Sequence, residues 1–317
     1  MKRQRVILDV DTGVDDALAI MLAVRSPELE VLGITTVSGN VPVARCTANT
    51  LLVLEVLDAP DIPVVSGAAT PLAGKAFTAG QVHGKDGLGN ATAKYPTPAR
   101  QATQGAMEFL LEMIRRFPEE LILVATGPLT NVATAIRQDR TTMGQLQSIT
   151  IMGGAIRVPG NVGPTTEFNF AVDPEAAAVV FEAGLPITLV PLDVTEQVIL
   201  TRQAMETAPG AGKLQKFIRE ITGATIVFHR EHEGVDGMFL HDPLAVGTVV
   251  DPSFVRTQAM AVAVERQGEL TAGMAVVDLR KRSQPTPTAM VCVEVEAARF
   301  LRMFAERVLQ KWSPDSR

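Results

Sequence analysis

The chain reads as an α/β protein whose mostly parallel sheet is covered by helices on both faces. Three observations predict this. Short, unbroken aliphatic runs alternate with helical patterns along the sequence, as strands buried on both faces do. The unusual polar clusters fall just behind those runs, and in open α/β sheets the site lies outside the carboxyl ends of the strands. No linker-like composition shift, repeat or low-complexity stretch divides residues 1–317, so one domain with loop insertions is expected.

The elements follow in order. "RVILDV" is a buried strand, and "DDALAIMLAVRS" behind it repeats Leu18, Met21 and Leu22 at helical spacing. "LEVLGITTV" is the next strand, followed by a helix through "CTANTLLVLEVL". "IPVVSG" is the third strand. "ELILVAT" precedes the helical "GPLTNVATAIRQ", and "SITIMGG" precedes a glycine-rich loop. In "DPEAAAVVFEAG" Asp173 is the N-cap, Pro174 the first helical residue and Gly184 the stop. "PITLVPLDV" reads as a continuous apolar strand, and "AMAVAVERQGELTAGMAVVDLR" as a hairpin. "AMVCVEV" then leads into a closing helix, "AARFLRMFAERVLQKW". Between them, "TAGQVHGKDGLGNATAKYPTP" is polar and glycine-rich, the composition of a mobile loop that could cover a site.

Composition excludes several functions. The 317 residues are 46% hydrophobic and only 4% aromatic, so an aliphatic core of ample size is expected. The net charge of -6, without a long basic run, argues against nucleic-acid binding. Cys46 and Cys292 share no metal or redox spacing and are expected as buried free thiols in a reducing compartment. Asp9 and Asp11 interrupt any apolar signal segment, and no apolar run is long enough to span a bilayer. A cytoplasmic protein without a membrane partner is expected.

"ILDVDTGVDDALAI" places four carboxylates, Asp9, Asp11, Asp15 and Asp16, within eight positions. Two carboxylates about 5 Å apart repel by roughly 3 kcal/mol at an effective dielectric near 20. Asp15 and Asp16 start a helix, whose dipole favours negative charge. That does not account for Asp9 and Asp11 at the tip of the strand. A hard cation with oxygen ligands accounts for the set better, and carboxylates with carbonyls favour calcium or magnesium over zinc. "FLHDPLAV" is a second focus, where His241 and Asp242 precede a helix-opening proline. Asp242 could be a plain N-cap there, and His241 an ordinary half-buried histidine. "TGPLTN" could be a strand-to-helix turn. In "TTEFNF", Glu167 and Asn169 could alternate outward while Phe168 and Phe170 pack inward. His83 could be only a loop residue.

Together these residues resemble the nucleoside hydrolase family, of the inosine–uridine-preferring type. "DVDTGVDDALAI" is similar to its N-terminal aspartate signature. "ATGPLTNVA", "MGGA", "GNVGPTTEFNFAVDPEAA" and "HDPLAV" are similar to further family blocks in the same order, so the resemblance covers essentially the whole chain. It implies a single Rossmann-like α/β domain that splits ribonucleosides into base and ribose, with one bound Ca2+. The implied calcium ligands are Asp11, Asp16, the Thr126 carbonyl and Asp242. Asp15 and Asn40 would contact the ribose and reaction centre, Asn161, Glu167 and Asn169 would hold the sugar, and Asp9 would support the cluster from behind. His83 joins the substrate-binding set as part of the covering loop. Asp11 would be the general base, and His241 would protonate the leaving base or hold it. A homodimer or homotetramer is implied as well.

The sequence departs from the family at two places. Thr12 stands where many members carry proline. The tyrosines and tryptophans that surround the base in well-known members have no counterpart, since Tyr95 and Trp312 are the only ones in the chain. Phe228, His229 and His232 stand before the late motif instead. Two other readings are open. "DVDTG" also satisfies the Asp-x-Asp-x-Thr opening of haloacid-dehalogenase-like phosphatases, with Asp9 as nucleophile and magnesium bound. A non-catalytic, calcium-dependent nucleoside- or ribose-binding protein would carry the same cluster.

Overall fold

The computed structural model describes residues 3–73, 77–96, 102–207, 212–280 and 285–309. Strand β1 (Gln4–Val10) runs into helix α1 (Val14–Val24), and β2 (Leu29–Thr36) into α2 (Val43–Val56). Strand β3 (Val64–Ser66), the single turn α3 (Gly80–His83) and strand β4 (Thr103–Gln104) precede α4 (Ala106–Arg116). Next come β5 (Leu121–Ala125), α5 (Thr130–Gln138), α6 (Arg140–Met143), β6 (Ser148–Met152), α7 (Phe168–Val172), α8 (Pro174–Glu182), β7 (Ile187–Val190) and α9 (Leu192–Thr195). The segment β8 (Ile199–Thr201), α10 (Arg202–Thr207), α11 (Lys213–His232), β9 (Gly237–Phe239) leads to α12 (His241–Val250). Strands β10 (Val255–Met260), β11 (Val262–Val264), β12 (Ala275–Val277) and β13 (Ala289–Val295) and helix α13 (Ala297–Phe304) complete the order.

Nine of these strands form one sheet in the order β10-β13-β7-β6-β5-β1-β2-β3-β4. Every neighbouring pair is parallel except β10 and β13 at one edge. Successive strands leave β1 on one side through β2, β3 and β4. On its other side they run through β5, β6 and β7. The direction of winding therefore reverses between β1 and β5, and the loops after these two strands diverge to opposite faces and leave a crevice. Side-chain alternation along β1 explains why helices are needed on both faces. Val6, Leu8 and Val10 enter one apolar layer with α1, α2, α11 and α12, while Ile7 enters another with α4, α5 and α8. The bulkiest fully buried side chains include Phe170, Phe181, Phe217, Phe300 and Phe304, so the few aromatics fill the core alongside the aliphatic residues.

Several expectations need correction. The apolar run 186–194 is not one strand: β7 stops at Val190, Pro191 has no N–H to continue the ladder, and α9 follows. The hairpin expected over 259–280 is smaller. Val262–Val264 pairs with Ala275–Val277, whereas Met260 belongs to β10 in the main sheet. Glu167, Phe168, Asn169 and Phe170 do not alternate in and out. Glu167 caps α7 and all four are buried. Asp242 is not an N-cap, because Leu240 occupies that position of α12 and Pro243 stands at the third helical residue. The expected cap at Asp173 and the stop at Gly184, which takes φ +68, are both observed. The tail of the glycine-rich loop at 97–98 and the end of the closing helix with Trp312 lie outside the described residues.

Candidate active site

The crevice at the carboxyl ends of β1 and β5 opens into a cavity of about 800 Å³. Its floor is built from the loops behind the strands. After β1 the chain turns through Gly13 into α1, which swings Asp15 and Asp16 under the cavity. Asp16 closes a capping box, with Oδ2 accepting the Gly13 N–H at 2.9 Å. The same oxygen accepts Asn40 Nδ2 at 3.1 Å, and Oδ1 accepts the Thr126 hydroxyl at 2.8 Å. One carboxylate thus ties together the loops after β1, β2 and β5. Asp11 lies at the strand tip, with Oδ2 accepting the Asn40 backbone N–H at 2.6 Å. A β-carbon at Gly39 would overlap the Asp11 carboxylate, and one at Gly127 would come within 3.0 Å of it, so the two glycines form its cradle.

Asp242, at the start of α12, completes the floor from the far side. One oxygen each of Asp15, Asp16 and Asp242 lie within 4.8 Å of one another. The Asp15 and Asp242 carboxyls crowd each other there, and a proton or a cation between them relieves the repulsion. Burial, then mutual repulsion, pushes Asp16 up to about 6. Burial alone carries Asp15 to about 6, and burial with neighbouring charges pushes Asp11 and Asp242 well above the carboxylate range. Asp11 Oδ1 and Asp15 Oδ1 are buried with no hydrogen-bond partner. Crowded hard oxygens, two of them unpartnered, in a floor this acidic fit a divalent cation by donor chemistry.

Asn169 reaches this floor from α7 and donates its amide to the Thr126 carbonyl at 2.7 Å and the Met152 carbonyl at 3.2 Å. Glu167 beside it accepts the N–H groups of Gly154, Asn169 and Phe170. These bonds favour its charged form, yet burial still pushes it up to about 7. Asn161 lines the cavity and accepts the Phe168 N–H at 2.9 Å. His83 lies close over α1. Its Nδ1 accepts the Val14 N–H at 3.1 Å, which leaves Nε2 to carry the proton, and Asp15 is 3.8 Å away. Burial holds His83 down to about 4. His241 Nδ1 pairs with the Thr195 hydroxyl at 2.7 Å, and burial holds this ring down to about 3. Asp11, Asp15, Asp16, Asn40, His83, Thr126, Asn161, Glu167, Asn169, His241 and Asp242 therefore all converge on one place.

Asp9 does not join them. It is fully buried behind the floor, where Oδ1 accepts Thr35 Oγ1 and Asn131 Nδ2, and it does not line the cavity. It cannot be the nucleophile that the phosphatase reading requires. Among the described lining residues there is no Lys or Arg to meet a phosphate.

The outer wall of the cavity comes from elsewhere. The last two turns of α11 supply Thr225, Phe228, His229 and His232, joined by Glu233, Phe239, Glu196 and Phe77. Phe228 and His232 stack at 4.4 Å, one helical turn apart. His229 Nε2 is 3.9 Å from Glu233, and burial holds this histidine down to about 4.

Sequence reasoning missed Thr195, Glu196, Phe77, Asn131 and Asn49. Thr195 and Glu196 follow a strand, like the other site loops, and that rule could have found them. Asn49 sits inside an apolar helix pattern and bridges the carbonyls of Thr12 and Asp86, tying the first site loop to the His83 loop. A buried Asn in such a helix is itself a signal. The hydroxyl of Thr12, the departure noted at the signature, pairs with that of Thr50 at 2.6 Å.

Comparison with known proteins agrees with this geometry. The family model described as inosine-uridine preferring nucleoside hydrolase matches residues 6–302. Uridine nucleosidase 1 of Arabidopsis thaliana is 41% identical over 270 residues, covering 84% of this chain and 80% of the relative. Among solved structures, a plant nucleoside hydrolase superimposes with a TM-score of 0.90 at 36% identity, covering 97% of this chain and 99% of that one. A purine-preferring ribonucleoside hydrolase from Gardnerella vaginalis gives 0.89 at 34% identity, covering 97% and 98%.

Proposed function

This chain belongs to the inosine-uridine preferring nucleoside hydrolase family, hydrolases of ribonucleoside N-glycosyl bonds, and from that premise we propose a calcium-dependent hydrolysis of ribonucleosides to free base and ribose. The observation that carries the reading is the meeting of four separate strand-end loops and α12 on one acidic floor at the switch point between β1 and β5.

Asp11, Asp16, the Thr126 carbonyl and Asp242 would hold the ion. Asp15, with an oxygen within 4.8 Å of those of Asp16 and Asp242, would be shared between the ion and the sugar. When bound, the ion supplies a positive charge that holds hydroxyls and lowers the pKa of water. The chain's own residues do the rest. Asp15 and Asn40 accept and donate at the ribose diol. The Asn169 amide N–H atoms are taken by backbone carbonyls, so its Oδ1 is what remains for a sugar hydroxyl. Asn161, and Glu167 through the loop it caps, complete the sugar contacts. Breaking the C1′–N bond builds positive charge on the ribosyl ring, as in glycoside hydrolysis, and a carboxylate floor stabilises that charge. Asp11 takes the proton of the attacking water. His241, oriented by Thr195, gives its ring N–H to the departing base, and His83 closes the site from above.

We extend the proposal to nucleoside salvage or breakdown in a reducing cytoplasm, by residues 1–317 acting as one domain. The two buried free cysteines support the compartment. Among the described residues no helix is long and apolar enough to cross a membrane. Assembly as a homodimer or homotetramer rests on the family resemblance and is checked by light scattering.

A panel of purine and pyrimidine nucleosides, assayed for free ribose with and without calcium, tests the function. Calcium-dependent ribose release is expected. Phosphate release from sugar phosphates, or nucleoside binding without turnover, would replace the reading with one of its rivals.

A further inference from the structure

We infer that Asn49, a residue of α2 outside the cavity, is a positioning residue that fixes the direction in which His83 presents its ring N–H to a bound nucleoside. The inference rests on the reading of the cavity as a ribonucleoside hydrolase site, with His83 in its substrate-binding set.

Burial and bonding single Asn49 out. No residue of α2 is among the described lining residues of the cavity, and Asn49 is only 1% exposed. Its Nδ2 donates to two backbone carbonyls, that of Thr12 at 3.0 Å and that of Asp86 at 2.9 Å. Both amide hydrogens are therefore spent, one on the loop behind β1 and one on the loop behind α3. The second loop is shaped to this amide. Gly87 takes φ +81, and a β-carbon there would stand 2.7 Å from Asn49 Nδ2.

The bridge matters because a second bond lies beside it. His83 lines the cavity, and its Nδ1 accepts the Val14 N–H at 3.1 Å. Thr12 is thus joined to Asp86 through Asn49, and Val14 is joined to His83 directly. One attachment lets a loop swivel about it, whereas two fix its angle. Residues 83–92 carry that angle as a unit. The Gly89 N–H donates to the His83 carbonyl at 2.8 Å, and the Asp86 carboxylate accepts the N–H groups of Leu88, Asn90 and Thr92. With Nδ1 held as an acceptor, the neutral ring carries its proton on Nε2, so one tautomer and one donor direction are selected.

The two loops do not depend on Asn49 equally. The aspartate loop has anchors of its own. The Thr12 hydroxyl pairs with that of Thr50 at 2.6 Å, Cys46 Sγ donates to the Asp11 carbonyl at 3.2 Å, and the Asp11 side chain accepts the Asn40 N–H at 2.6 Å. The His83 loop is held at its start by the Ala79 N–H on the Asn40 carbonyl, and further on by Thr225 and Glu220 of α11. Loss of the Asn49 amide therefore leaves the carboxylates in place and frees Asp86, so its effect falls on His83.

The chain has four histidines, so 15N labelling of histidine reads the His83 tautomer, with His83→Ala assigning the signals. In the unsubstituted protein one ring nitrogen of His83 should resonate as protonated and the other as an acceptor. In Asn49→Leu, which keeps the size and removes both donors, the two signals should move towards each other as the tautomers mix. Uridine kinetics give a second readout. Asn49→Leu should lower kcat/KM about tenfold when His83 is present and less than about twofold in a His83→Ala background. Asn49→Ser should show the same pattern more weakly, and it replaces the Leu variant if that one does not fold. An unchanged His83 tautomer in the variant that folds, or equal losses with and without His83, would overturn the inference and leave Asn49 as a partner for two carbonyls and no more. If the unsubstituted protein releases ribose from no nucleoside, the proposed function falls, while the 15N spectra still decide whether Asn49 sets His83.

Discussion

The floor and the outer wall of the cavity are built on different principles. The floor is made of strand-end loops, and its carboxylates and amides bond to backbone N–H and C=O groups of neighbouring loops. Those contacts fix each group to a fraction of an ångström, and almost any replacement leaves a buried polar atom unpartnered. The wall is made of side chains along one helix and of single aromatic residues from distant segments. Their contacts are ring to ring, and such surfaces accept substitution by groups of similar shape. Under the proposed function the difference teaches that groups meant for the sugar would be rigidly held, while a base would meet a surface that can change without disturbing the floor. The relatives fit that division. A uridine nucleosidase and a purine-preferring hydrolase both align over most of the chain.

Replacing Asp11 by Asn should give the largest effect. The amide keeps the bond from the Asn40 N–H but cannot accept the water's proton. A loss of roughly 10²- to 10⁴-fold in kcat is expected, with the fold intact by circular dichroism. Metal content must be measured on the same sample, because Asp11 is also a proposed ligand. A near-normal rate at full metal content would remove Asp11 from the base role.

His241→Ala sharpens the boundary between floor and wall, since His241 stands where they meet. A departing natural base needs a hydrogen-bond donor, whereas nitrophenolate is stable near neutrality. The variant should lose about 10²-fold on nucleosides and keep most of its rate on a nitrophenyl riboside. Equal losses on both would place His241 with the floor, as a residue that holds the sugar or the metal site.

Removing the cation should loosen the floor alone. In the cation-free chain Asp15 and Asp16 are raised to about 6. A raised carboxyl binds its proton more tightly in the folded state than in the unfolded one, where its pKa is near 4. Its contribution to stability is therefore full below about pH 4 and is lost as pH rises through about 6. A divalent ion takes the place of those protons. Saturating calcium should raise Tm by roughly 5 to 10 °C at pH 7.5 and by much less at pH 5. Asp242→Ala should abolish the shift. An equal shift at both pH values would show that binding displaces no protons.

The same division decides what could be read in the sequence. Asp11, Asp15, Asp16 and Thr126 stand directly behind aliphatic runs, and Asn169 ends the long polar loop that follows another, so the strand-end rule located them before any contact was known. The topology that makes β1 and β5 neighbours is not written in those runs. Helix α11 escaped notice for a physical reason. Its middle, Ile221, Thr222, Gly223, Ala224, Thr225, Ile226 and Val227, is rich in β-branched residues and glycine, which disfavour an isolated helix. It forms because Leu214, Phe217, Ile218, Ile221 and Thr225 recur on one buried face, so tertiary packing overrides propensity. Phe228, His229 and His232 ride on that helix and were noticed only by their place before the late motif, whereas Thr225 was hidden with it. Glu167 misled for a related reason. A polar–apolar alternation of four residues fits a strand, but its carboxylate is spent on capping a five-residue helix.

The smallest effect should come from the link between the two regions. Tyr95 donates its hydroxyl to Glu220 at 2.6 Å, and its ring meets Phe217 edge to face at 4.9 Å. Both partners lie on α11, while Tyr95 ends the loop that carries His83. The contact therefore fastens the loop over the floor to the helix of the wall. It does not act alone. The Thr225 hydroxyl donates to the Val82 carbonyl at 3.1 Å, Gly89 packs against the Ile221 backbone so closely that a β-carbon would overlap it, and Asp86 accepts the N–H groups of Leu88, Asn90 and Thr92. Tyr95→Phe removes one hydrogen bond to a charged partner and keeps the ring contact. A cost of about 1 kcal/mol, shared between folding and substrate binding, gives a two- to fivefold rise in KM with kcat nearly unchanged. Steady-state kinetics on one nucleoside and on the nitrophenyl riboside would measure it. A hundredfold fall in kcat on both would mean that the wall positions the catalytic carboxylates directly, and the separation of a fixed floor from an adaptable wall would have to be abandoned.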